Sequence, residues 1–190
     1  MTRNNTTNEY LERYYAQAED LNVWFGSGKI NLEVAELLLK KYNSSNKRLA
    51  LQAHEYSKGG LVRKRRINPY HLTLYKHILM FFGLSLECYL KGILIKRKII
   101  NPLNADKKSL SSECTRHLSV KMFSLFRKPT DDESQTITRL QRAVFSGKYP
   151  IEKNMLNINT YTGYLDQDIK SARKMIKDLQ KDWDKLRFVS

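Results

Sequence analysis

A chain of 190 residues with 41% hydrophobic side chains is long enough to bury one core and lacks the composition of a disordered segment. Its 8 Gly and 4 Pro argue for helices over a turn-rich β fold, and its two cysteines, Cys88 and Cys114, share no CxxC spacing, which argues against zinc and for reduced thiols. The formal charge of +15 is uneven: residues 1–57 carry 7 basic and 7 acidic side chains, residues 58–98 carry 10 and 1, and residues 99–190 carry 17 and 11, so the middle block holds +9 and points to a polyanionic partner, set against a merely solvated basic face.

Met1 to Glu9 is polar and has no apolar core, so no secretory leader is expected and the chain reads as cytoplasmic. From Asn8 to Leu21 the positions Tyr10, Leu11, Tyr14, Tyr15, Ala18 and Leu21 form a helical stripe. Trp24 and Phe25 then read as a packed helix corner, followed by a break at Gly26-Ser27-Gly28. This divides the chain into an N-terminal helix with its aromatic corner, residues 1–30, and a helical bundle, residues 31–190. A second helix is expected to start near Asn31, with Val34, Ala35, Leu38 and Leu39 inward; it either breaks at Asn43 to Asn46 or continues to Tyr56, and Gly59-Gly60 interrupts it.

Leu61 to Arg66 places four consecutive basic residues, Arg63, Lys64, Arg65 and Arg66, between that glycine pair and Asn68-Pro69, a suitable helix start. A helix from Pro69 to Arg97 would be about 43 Å long and would form the spine of the fold. Between Lys76 and Glu87 it is apolar on nearly every face, as the central helix of a bundle is, and this run is shorter than the roughly 18 apolar residues of a membrane span. No membrane association is expected. The spine ends in a second basic cluster, Lys96, Arg97 and Lys98, and Glu87 is expected to pair with Lys91 one turn on, or with an arginine of a neighbouring helix.

Asn101 to Ser112 reads as a loop, and Arg116 to Phe126 as a short helix with Leu118, Met122 and Phe123 inward. Thr130 and Glu133 stand at capping-box spacing ahead of a helix that carries Ile137, Leu140, Ala143 and Val144 and stops at Phe145-Ser146-Gly147. Lys148-Tyr149-Pro150 is extended and Asn154 to Gly163 a loop. The last helix repeats Ile169, Ala172, Ile176, Leu179, Trp183 and Leu186 in a heptad stripe that packs into the core. No strand pattern stands out. The expected fold is all-α, a single-domain bundle of about five to seven helices around a long central apolar helix.

Leu86-Glu87-Cys88-Tyr89-Leu90-Lys91-Gly92 is similar to the "ALE-x-x-LK-G" pattern of the HEPN superfamily (higher eukaryotes and prokaryotes nucleotide-binding). His117-Leu118 is similar to that family's "HDL" segment, with the Asp missing, and Phe145 to Pro150 resembles a "W-x-G-R-Y-P" segment of some bacterial members. The resemblance spans about residues 31–185 and implies a helical bundle that often dimerises, in many members a metal-independent ribonuclease whose Arg precedes a His by about four to six residues. In such an enzyme His moves a proton at the ribose 2′-hydroxyl and Arg stabilises the phosphorane. Arg66 with His71, and Arg48 with His54, have that spacing, but Ile67 and Leu49 stand where the family has a polar residue.

Three functions follow. The first is a HEPN-like RNA- or nucleotide-associated protein, in a defence or toxin–antitoxin setting, that binds through Arg63, Lys64, Arg65, Arg66, Lys96, Arg97 and Lys98. The second is a helical protein–protein interaction module, with a homodimer or another protein as partner. The third is a metal-independent endoribonuclease with Arg66 and His71 as its catalytic pair. None of the three calls for a metal or a cofactor.

Overall fold

The computed structural model describes residues 12–13, 16–58, 69–104, 109–146 and 165–187, with the side chains of 46–58, 69–73, 146 and 187 outside the description. Residues 16–19 are helical, and six helices follow: α1 (Leu21–Lys58), α2 (Pro69–Lys96), α3 (Ser112–Thr115), α4 (Val120–Ser124), α5 (Asp131–Ser146) and α6 (Leu165–Arg187). Among the described residues there is no strand; one isolated bridge joins Leu103 to Leu110.

The centre is α2. A helix apolar on all sides must be covered on all sides, and α1, α5 and α6 each pack against it, with α5 and α6 also in mutual contact. Ile78, Leu79, Phe82, Leu86, Leu90, Ile93 and Leu94 are fully buried along its length. By length and composition the segment Leu74–Lys96 could cross a membrane, so the ten-residue run between Lys76 and Glu87 understated its apolar extent. Lys76 and Lys96 stand near its ends, the two charges in its middle, Glu87 and Lys91, neutralise each other at 2.7 Å, and most of the segment is buried by the surrounding helices. A buried bundle core and a membrane span share this composition; here the covering is the chain's own helices.

The expected break at Gly26-Ser27-Gly28 and the helix start at Asn31 are absent. α1 runs unbroken through both positions for 38 residues, about 57 Å, and also through Asn43 to Asn46. Tertiary contact outweighs the roughly 1 kcal/mol that each mid-helix glycine costs. A Cβ on Gly28 would stand 3.0 Å from the Tyr89 ring, so its absence lets α1 approach α2 closely, and the Ser85 hydroxyl donates to the Gly28 carbonyl at 2.8 Å. Gly92 does the same from the other side, beneath Phe25 and Trp24. The aromatic corner is therefore part of a continuous helix. Phe25 stacks on Trp183 of α6 with centroids 3.7 Å apart and meets Tyr89 edge-on, while the Trp24 indole donates to the Ala18 carbonyl at 2.9 Å.

The remaining helix ends follow local rules. Glu133 N–H donates to Thr130 Oγ1 at 3.2 Å and Thr130 N–H donates to Glu133 Oε2 at 2.9 Å, the reciprocal pair of a capping box. The short helix expected from Arg116 is confined to α4, capped by Ser119, whose hydroxyl accepts from Met122 N–H; Leu118, Met122 and Phe123 are buried as the apolar pattern required. α2 ends in a Schellman motif: Lys98 N–H donates to the Ile95 carbonyl and Ile99 N–H to the Leu94 carbonyl, both at 2.9 Å. Lys98 itself sits at φ 57°, the left-handed region where glycine is usual.

Candidate nucleic-acid interface

Arg63, Lys64, Arg65 and Arg66 lie outside the described residues, as do Gly59-Gly60, Lys148 to Pro150 and Asn154 to Gly163. His71 falls in the first turns of α2, and Arg48 and His54 in the C-terminal half of α1, with their side chains outside the description. Lys96, Arg97 and Lys98 are described, and they cluster at the C-terminal end of α2, where positive charge complements the helix dipole. Lys98 is exposed, but Arg97 is already engaged: its guanidinium bonds Asp182 of α6 at 2.6 Å and lies 5.1 Å over the Phe126 ring.

That bridge draws the end of α2 against the C-terminal half of α6, where a second basic feature stands. Lys170, Lys174, Lys177, Lys181 and Lys185 are all exposed. At about 100° per residue they fall within about 80° of arc opposite the buried stripe, in a row about 22 Å long. Among the described residues none of the five has a carboxylate at ion-pairing distance. Asp166 and Asp184 border the row. The apolar heptad was read from this helix, whereas its lysines at steps of 4, 3, 4 and 4 were absorbed into a charge total. The spacing that reveals them was present in the sequence.

The arginines around α6 behave differently from the lysines. Arg139 of α5 grips the fully buried Asp168 through Nε and Nη2 at 2.6–2.9 Å, with the Thr136 hydroxyl donating to the same carboxylate at 3.0 Å. Arg127 forms a fork with Glu133, both bonds at 2.8 Å, and reaches Asp178 at 3.1 Å. Those hydrogen bonds hold the Glu133 carboxyl down at about 2. Arg173 pairs with Glu36 of α1, its Nε at 2.7 Å. Arginines thus fasten α6 to the bundle, Arg139 and Arg173 through two guanidinium nitrogens each and Arg97 and Arg127 through single bonds, and the five lysines, as hydrated point charges, face solvent.

The buried polar centre of the fold is a clasp. Glu87 Oε1 accepts from Lys91 Nζ at 2.7 Å, the i,i+4 pair expected from the sequence, and Oε2 accepts from Leu118 N–H at 2.8 Å. Lys91 also donates to the Cys114 carbonyl at 2.7 Å and lies 5.8 Å from the Trp24 ring. His117 packs edge-on against Phe145 at 4.7 Å, with Nδ1 3.6 Å from Glu87 Oε2. Through the Glu87–Leu118 and Lys91–Cys114 bonds the pair pins the segment after α2 onto α2, which is a structural task. Burial pushes the Cys88 thiol up to about 11 and raises Cys114 as well, so neither is an activated nucleophile. Among the described residues no group of three or more His, Cys, Asp or Glu side chains is placed to hold a metal ion.

Comparison with family models, curated proteins and solved structures finds no match to this chain.

Proposed function

We propose that the protein is a HEPN-like, RNA- or nucleotide-associated protein of a defence or toxin–antitoxin setting that binds phosphate backbones through a basic face. The lysine row of α6 and the end of α2 at Lys96 and Lys98 form the described part of that face; Arg63, Lys64, Arg65 and Arg66, which the sequence offers to the same ligand, lie outside the described residues. The observation that carries the reading is the five exposed lysines of α6, which among the described residues have no carboxylate at ion-pairing distance, while Arg97, Arg127, Arg139 and Arg173 are each paired. The sequence similarity at Leu86 to Gly92 and at His117-Leu118 supports the same class.

Labelled RNA titrated across a salt series tests it. Five phosphate contacts on a single strand give a slope of log K against log salt of about −3.5, and Lys174→Glu, Lys177→Glu and Lys181→Glu together cut that by about 2. Absence of binding at low salt, or a slope untouched by the triple change, would refute the proposal. Adding chelator to the same samples tests the ribonuclease alternative, which requires cleavage that persists in chelator and vanishes in His71→Ala.

One observation favours the interaction-module reading. Val23, Ile30 and Leu37 are exposed at seven-residue spacing along α1, 41%, 63% and 63% accessible, an apolar stripe suited to a second copy of the chain. Light scattering of wild type against Leu37→Glu measures this: a dimer that becomes monomeric supports it, and a monomeric wild type rejects it.

A further inference from the structure

We infer that the lysine face of α6 fits the backbone of a nucleic-acid duplex, held without reading of sequence, an inference that rests on the function proposed above and narrows its ligand. Proteins that hold single strands combine a basic track with aromatic rings on which bases stack, each ring adding about 1–3 kcal/mol. On α6 that platform is missing. Its one aromatic residue, Trp183, is half-buried and stacked on Phe25 at 3.7 Å, and at the neighbouring end of α2 the Phe126 ring is covered by Arg97. Phe145, an exposed ring on α5, is turned edge-on to His117.

Among the described residues around α6, base-edge readout is missing for a parallel reason. The side chain that reads guanine is the bidentate arginine fork, and Arg97, Arg127, Arg139 and Arg173 are all spent on carboxylates. Exposed and unpaired on this face are ammonium groups, which bind phosphate as point charges.

The shape of the row completes the case. Five cations on one straight helix, spread over about 22 Å, form a rigid line, and a duplex presents a rigid rod with one negative charge per about 1.7 Å of axis. Neither has to be ordered on contact. A single strand would have to be straightened along the row with no stacking energy to offset the loss of its freedom.

The test offers one sequence as single strand and as duplex, and a second duplex of unlike base composition, to the full-length protein. The duplex is expected to show a salt slope of about −4.5 against about −3.5 for the single strand, which is about tenfold tighter binding near 0.1 M salt, and the two duplexes are expected to bind within about twofold of each other. Lys174→Glu, Lys177→Glu and Lys181→Glu together reduce the duplex slope by about 2.7; the same three positions changed to Gln, with a thermal melt on both variants, separate charge loss from misfolding. A single strand that binds as tightly as the duplex, and still weakens in the triple variant, overturns the duplex inference and leaves the proposed function standing. Failure of both nucleic acids to bind, including the case where vesicles of anionic lipid bind instead, overturns the proposed function itself.

Discussion

Glu87→Gln exchanges one oxygen for an amide group at the centre of the clasp. Glu87 now serves two donors, Lys91 Nζ at 2.7 Å and Leu118 N–H at 2.8 Å, through two oxygens. Glutamine has one oxygen, so its NH₂ must face one of those donors. The change also leaves the Lys91 ammonium, with a side chain 4% exposed, without its counter-charge. Removing one member of a buried pair costs about 3–5 kcal/mol. Lys91 keeps the Cys114 carbonyl at 2.7 Å and the Trp24 ring, which places the loss at the lower end, about 3 kcal/mol. For 190 residues the unfolding entropy is about 0.4 kcal/mol/K, so Tm falls by about 7 °C. The assay is a thermal-melt double-mutant cycle with Lys91→Met, in which the double variant is less destabilised than the sum of the singles because no buried charge is left unpaired. A Glu87→Gln protein within about 0.5 kcal/mol of wild type, or a strictly additive cycle, would refute the clasp.

The other predictions concern backbone and charge. Gly26→Ala is expected to raise stability by about 0.5–1 kcal/mol, since its Cβ would meet nothing within 4 Å, whereas Gly83→Ala is expected to lower it by about 1–3 kcal/mol, since its Cβ would stand 2.8 Å from Val144 Cγ2 and 3.2 Å from the Leu140 carbonyl; denaturant titration reads both. Lys98→Gly relieves a left-handed backbone at the C-terminus of α2 and is expected to stabilise by about 0.5–1 kcal/mol in the same titration, with no gain counting against strain at φ 57°. Glu133 has a folded-state carboxyl near 2 against an ordinary 4.5, chiefly through its bonds to Arg127, so the unfolded chain takes up that proton first as pH falls. Its contribution, about 3 kcal/mol, is present above pH 4.5 and lost as pH drops toward 2. The stability gap between wild type and Glu133→Gln should therefore close over that window; a constant gap would contradict it.

Much of the architecture was legible because it rests on short-range pattern. α2 was located to within one residue of its C-terminus because an all-apolar helix has few other places to go. The Thr130–Glu133 capping box and the Glu87–Lys91 pair were legible for the same reason, each partner lying within one turn of the other. The glycines of α1 were misread because propensity counts their cost and not the close contact with Tyr89 that their lack of a Cβ permits. The lysine row of α6 was written in the sequence at helical spacing, but the apolar stripe on the opposite side dominated the reading of that helix.

Composition and periodicity alone thus determined that this chain is helical, that its most apolar segment lies at the centre, and that it carries a surplus of positive charge. Which of those charges are spent and which are left over was decided by the tertiary structure. Arg173 meets Glu36 from 137 positions away, Arg97 meets Asp182 from 85, and Arg139 meets Asp168 from 29. Ion pairing depends on distance through space, falling steeply over a few ångströms in a screened medium. No local rule of sequence could tell the arginines that fasten the bundle from the lysines that face outward.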